Sequence, residues 1–196
     1  RLVGSEMCIR DSSLLSVERG QRLRLLVSVQ EFAAAHLSEP APIARRHARW
    51  FAHHADPEQP LDDAERDNLT AACRWATSAG EGPLAAQVFL GLWRILQRQG
   101  PYELAEELGW TILELPEMTG TLRIRVLAAA GEARQFLGRD AETMRAFEEA
   151  LALSREIDDR HLEGVMLGRL GVLRRNQGDL KVAARLLQDA LALHLS

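Results

Sequence analysis

The chain of 196 residues carries 24 basic and 28 acidic side chains, a formal net charge of −4, with 46% apolar and 27% charged residues. That mixture belongs to a folded globular chain, not a disordered one, and its acidic balance excludes a general attraction to nucleic acid or anionic membrane. Cys8 and Cys73 stand far apart with no CxxC partner, no apolar run nears the roughly 18 residues of a bilayer span, and no signal-peptide pattern opens the chain. The expected compartment is the cytoplasm.

The first twelve residues, Arg1 to Ser12, resemble a translated sequencing adapter and are set apart from the fold; the alternative is an irregular native leader. The chain is therefore read as a fragment. Residues 13–29 alternate in a strand-like way on either side of Gly20, which predicts a hairpin. Val29, Phe32, Ala33 and His36–Leu37 then fall on one helical face, and Pro40 and Pro42 are expected to stop that helix. Ile43 to Ala55 reads as the next helix, broken by Asp56-Pro57 and Pro60. Asp62 or Asp63 can cap the following one, whose apolar side holds Leu69, Ala72, Cys73 and Trp75-Ala76 and which ends near Gly80. Pro83 suits the first turn of a helix through Leu84, Val88, Leu92 and Ile95-Leu96, ended by Gly100. Pro101 opens one more, through Leu115, closed by Pro116.

The last third repeats itself. Leu127, Gly131, Arg134, Gly138, Arg145 and Ala150-Leu151-Ala152-Leu153 recur 40 residues later as Leu167, Gly171, Arg174, Gly178, Arg185 and Ala190-Leu191-Ala192-Leu193. A fixed period of this length predicts stacked helical hairpins. A mid-helix glycine costs about 1 kcal/mol in propensity, so Gly131 and Gly171 predict close approach of the paired helix. Gly138 and Gly178 suit left-handed helix ends, with Asp140 and Asp179 as caps for the second helices. The spacing of 40 suggests long inter-hairpin loops such as Ile157-Asp158-Asp159-Arg160.

The order Leu170-Gly171, Gly178-Asp179, Ala183, Leu187, Ala190 resembles the tetratricopeptide repeat (TPR). The earlier copy departs from it at Ala130, Arg139 and Thr143, and both copies carry arginine (Arg134, Arg174) where an aromatic is usual. A third, weaker unit runs through Trp93, Gly100, Ala105 and Ile112. Residues 13–115 resemble bacterial STAND regulators, signal-transduction ATPases in which an NB-ARC-like domain precedes a winged helix and then TPRs. The resemblance is carried by Leu14-Leu15-Ser16-Val17, Arg22-Leu23-Arg24-Leu25-Leu26, Val29-Gln30-Glu31-Phe32-Ala33, Arg45-Arg46-His47-Ala48 to Trp50-Phe51, Arg74-Trp75-Ala76 and Leu92-Trp93-Arg94; Gln30 stands where arginine is usual.

Chemistry is sparse. The one lysine, Lys181, follows no glycine loop, so the phosphate-binding motif of that family is absent and no cofactor is expected. His47 and His54 share a helix face, yet without a third ligand they read as packing or surface histidines. Cys73 reads as a buried thiol and Trp50, Trp75, Trp93 and Trp110 as core anchors. Adjacent acids such as Glu148-Glu149 face different ways and make no acid–base pair. The basic stretches Arg45-Arg46-His47 and Arg174-Arg175 read as solvated helix faces.

The expectation is an all-helical, TPR-like superhelix behind a short β-hairpin remnant. Residues 13–39 would end a winged helix, 40–118 form a helical linker with degenerate TPR-like helices, and 119–196 form two TPR hairpins. Its function would be that of a non-enzymatic sensor arm for a protein or peptide, or for the upstream ATPase domain of the same protein. The candidate concave-face residues are Arg125, Glu132, Gln135, Arg175 and Asn176. The alternative is a DNA-binding regulator fragment acting through the winged-helix remnant; nucleic acid and membrane are not the expected partners.

Overall fold

The computed structural model describes residues 15–17, 23–25, 27–54 and 62–195. The leader 1–12, the Gly20 link and the Asp56–Pro60 break lie outside the described residues. The chain divides into two compact units, residues 1–43 and 44–196. Within the first, β1 (Leu15–Val17) pairs antiparallel with β2 (Leu23–Leu25), Ser16 opposite Arg24. Helix α1 covers Val27–His36. Its expected apolar face is not buried: Phe32 is exposed and stacks on the His36 ring at 4.0 Å.

Helix α2 spans Pro40–His54 and starts three residues earlier than the pattern suggested. Pro40 and Pro42 open it instead of merely ending α1, because first-turn amides have no intrahelical acceptor to lose. From residue 27 on, every described element is helical: after α2 come a short 3₁₀ turn (Asp63–Glu65), α3 (Arg66–Ser78), α4 (Gly82–Gln99), α5 (Tyr102–Leu113), α6 (Gly120–Phe136), α7 (Asp140–Glu156), α8 (Arg160–Asn176) and α9 (Leu180–His194). Asp62 caps the 3₁₀ turn, accepting the amide of Ala64 at 3.0 Å, and not α3 as expected, whose cap position is Glu65 with no side-chain cap bond. From α3 on, each helix packs on the next, and α4 also packs on α6. Their apolar stripes meet in one core through Leu92 and Ile95, Ile112, Ile124 and Leu127, Phe147, and Met166 and Leu173.

The period of 40 arises differently from the sequence expectation. Helices α6, α7 and α8 are 17 residues each, and the turns after them hold only three residues, so helices begin every 20 residues at Gly120, Asp140, Arg160 and Leu180. The extra length lies in the helices, not in long loops. Each turn contains one left-handed residue: Gly138 at φ 73°, Asp158 at 55° and Gly178 at 86°. Asp159 and Asp179 cap by accepting the amides of Leu162 at 3.0 Å and Val182 at 3.4 Å. Asp140 does not cap. It is already the first helical residue, and Arg139 occupies the cap position.

The mid-helix glycines sit where the paired helix comes closest. A Cβ on Gly131 would lie 2.8 Å from the Phe147 ring, and one on Gly171 would lie 2.8 Å from Leu187 Cγ. Positions that depart from the repeat pattern are tied in by their own contacts. Arg134 lies over the Trp110 ring at 3.9 Å and donates to Glu106 at 3.0 Å, and Arg139 reaches the same carboxylate at 2.5 Å. The Thr143 hydroxyl is within 3.2 Å of the Gly131 carbonyl. The planar Arg134 guanidinium stacks on an aromatic ring and pairs with a carboxylate at once.

Of the four tryptophans, Trp93 is buried, Trp75 and Trp110 pack against the core from partly exposed positions, and Trp50 is 52% exposed. Trp50 is therefore not a core anchor; the neighbouring Phe51 takes that place on α2.

Candidate partner-binding face

Helices α2, α4, α6 and α8 alternate with α3, α5, α7 and α9, so one face of the second unit is built from the first helix of each pair. A groove of about 1020 Å³ runs along this face between Arg45 and Arg49 of α2, Gln87 and Leu90 of α4 and Leu122 and Arg125 of α6. A second, of about 330 Å³, continues from Leu90 and Arg125 past Trp93, Ala128 and Glu132 to Val165 and Arg169 of α8. The shared residues Leu90 and Arg125 make the two one trough. A third groove of about 550 Å³ is an apolar socket between α8 and α9, floored by Gly164 and Gly168 and walled by Val165, Val172, Leu187 and Leu191.

The charges along the trough are partly committed. Arg45 pairs with Glu81 at 2.9 Å. Glu132 accepts the indole N–H of Trp93 at 3.1 Å and pairs with Arg169, joining three successive first helices through one carboxylate. Burial draws the Arg169 pKa down while Glu132 opposes this; the guanidinium remains charged. Arg49 and Arg125 line the wide groove with no ion-pair partner among the described residues. Glu117 lines the same groove, so the wide groove presents Arg49 and Arg125 beside one further carboxylate.

The expected site residues divide. Arg125 and Glu132 line the trough, and Gln135 lines the apolar socket beside it. Arg175 and Asn176 are exposed at the end of α8 and border none of these three grooves. Repeat position alone put them there. Asn176 lies seven residues after Arg169, within about 20° of the same helix direction, but it is the last residue of α8, beyond Val172 where the groove lining ends.

Sequence reading missed Arg49, Trp93 and Arg169 as parts of this face. Arg169 has no echo in the repeat, because Ala129 stands 40 residues earlier. Its link to Glu132 therefore joins positions that the repeat does not relate. A basic residue just before the Leu170-Gly171 pair was the one available signal.

The other reactive side chains are engaged in packing. The Cys73 thiol lies 3.9 Å from the Ala85 carbonyl, and burial pushes its pKa up to about 12. His47 meets Phe51 edge-on at 4.9 Å, while His54 stacks on Trp50 at 4.1 Å with Nδ1 2.7 Å from the Trp50 carbonyl. Among the described residues no three histidines, cysteines or acids converge as metal ligands, and no helix is long and apolar enough to cross a membrane.

Comparison of the chain with models of known protein families and with curated proteins gives no match to either.

Proposed function

We propose that this chain is a protein-binding arm of the TPR kind, the C-terminal part of a cytoplasmic STAND-type ATPase and transcriptional regulator. Its first-helix trough takes a segment of a protein partner, or of the upstream ATPase domain of the same protein. The arm works without a cofactor and without chemistry of its own. The winged-helix origin of the β1–β2 pair belongs to the same proposal. One observation carries the reading: two grooves that share Leu90 and Arg125 run along successive first helices as a trough, and its Arg49 and Arg125 have no ion-pair partner among the described residues. Helical arrays bind along such inner faces because each repeat adds one more strip of side chains to a continuous surface.

The test uses a photo-crosslinking residue at Arg125 or Gln87 in cells, with Arg145 on the exposed side of α7 as control. The trough positions should capture one shared partner that the control does not, and Arg125→Glu should reduce capture roughly tenfold. Equal capture at Arg145 would overturn the assignment of the face. Salt-dependent binding of duplex DNA by the chain would favour the DNA-binding alternative instead. The STAND assignment has its own test in the intact gene, which should encode a phosphate-binding loop upstream; a gene without one would remove it.

A further inference from the structure

The two arginines of the wide groove stand on different helices, Arg49 on α2 and Arg125 on α6. Between them α4 presents Leu84, Gln87 and Leu90, the leucines half-buried and Gln87 exposed. Residues three apart are neighbours on a helix surface, so these three make one strip. It lies in the middle of the array: α4 packs on α3, α5 and α6, and its open side is the inner face of the hairpins, not an end of the stack.

Five arginines and three glutamates line the two grooves, in a chain whose acids outnumber its bases by 28 to 24. Two of those glutamates are already held, Glu81 by Arg45, and Glu132 by Arg169 and the Trp93 indole. The third, Glu117, is exposed on the turn between α5 and α6. Arg49, Arg125 and Glu117 have no ion-pair partner among the described residues, which leaves two cations against one anion.

The placement of the two cations decides the class of ligand. A single small anion needs donors that converge, and α4 lies between these two. A nucleic-acid backbone carries a charge at every phosphate, and Glu81, Glu117 and Glu132 stand along the same path. A polypeptide can set carboxylates at two points with an apolar side chain between them, which matches arginine, leucine strip and arginine in order.

We infer that the trough selects acidic segments of a partner protein. Carboxylates on either side of an apolar residue meet Arg49 and Arg125, and the apolar side chain lies on Leu84 and Leu90. The inference rests on the trough being the binding face and adds the chemistry of what it takes.

Random peptides of about twelve residues, displayed on phage and panned against the full chain, test it. Those enriched on the parent should carry Asp and Glu around Leu, Ile or Phe; those enriched on the Arg49→Glu, Arg125→Glu double variant should carry Lys and Arg instead. Both positions are exposed, so the variant should keep its helical circular dichroism. In fluorescence anisotropy, the best acidic peptide should bind roughly tenfold more tightly than its counterpart with Asn and Gln in place of Asp and Glu, and should weaken as salt rises. Enriched peptides without an acidic excess that are still blocked by Gln87→Trp would overturn the acidic class and leave the trough as the binding face. Peptides indifferent to Gln87→Trp, or none enriched at all, would overturn both. Duplex DNA held through Arg49 and Arg125 would overturn the inference in favour of nucleic acid.

Discussion

Glu132 on α6 pairs with Arg169 on α8, and the same carboxylate receives the Trp93 indole N–H from α4. The pair is only a quarter exposed, with side-chain exposures of 26% and 29%, so each partner left alone would keep a poorly hydrated charge. Glu132→Ala should therefore cost about 2 kcal/mol of unfolding free energy, between the values for exposed and buried pairs. In a double-mutant cycle with Arg169→Met, the second change should cost much less once the first is made. Additive losses in urea unfolding would mean that the contact contributes little.

Two glycines on α8 should respond oppositely to the same substitution. A Cβ at Gly171 would meet Leu187 at 2.8 Å, whereas one at Gly168 meets nothing within 4 Å. Gly168→Ala should stabilise by up to about 1 kcal/mol through helix propensity. Gly171→Leu should destabilise by about 1–3 kcal/mol through overpacking despite the better propensity. Thermal midpoints decide, and a raised midpoint for Gly171→Leu would show that the packing face is misplaced.

Asp158 holds the left-handed position that glycine fills at Gly138 and Gly178. Aspartate tolerates that region at a cost glycine does not bear. Asp158→Gly should therefore stabilise by a few tenths of a kcal/mol, with the entropy of the unfolded chain offsetting part of the gain, and Gly138→Ala should lose about 1 kcal/mol. Equal midpoints for Gly138→Ala and the parent would contradict the turn geometry.

Cys73 predicts an alkaline effect with a definite sign. Burial raises its pKa from the ordinary 9.0 to about 12, so the folded state holds the proton more tightly than the unfolded state does. The resulting stability is complete below pH 9.0 and is lost as pH rises towards about 12, with a slope of up to about 1.4 kcal/mol per pH unit. Urea midpoints of Cys73→Ala should fall less steeply over that range than those of the parent. Native chain at neutral pH should also resist alkylation at Cys73 until it unfolds.

What the sequence determined by itself was local and periodic. Gly80, Gly100, Gly138 and Gly178 mark helix ends because a left-handed residue must follow a helix there, and each has positive φ. The echo of Gly131 in Gly171 placed both close helix approaches, because only a missing side chain explains a repeated glycine inside a helix. Tertiary structure decided whatever depends on neighbours distant in the chain. Phe147 and Leu187 occupy one repeat position, yet one is buried and the other half-open, because Phe147 lies between Gly131 of α6 and Arg169 of α8, whereas Leu187 meets Gly171 of α8 and no further helix among the described residues. Trp50 and Phe51 are adjacent aromatics, and packing alone selects Phe51 for the core. Glu132 looked like a free inner-face acid until Trp93 and Arg169, 39 residues before it and 37 after, closed on its carboxylate. Periodicity fixes which way a side chain leaves its helix; what it then meets is set by helices whose separation the period does not encode.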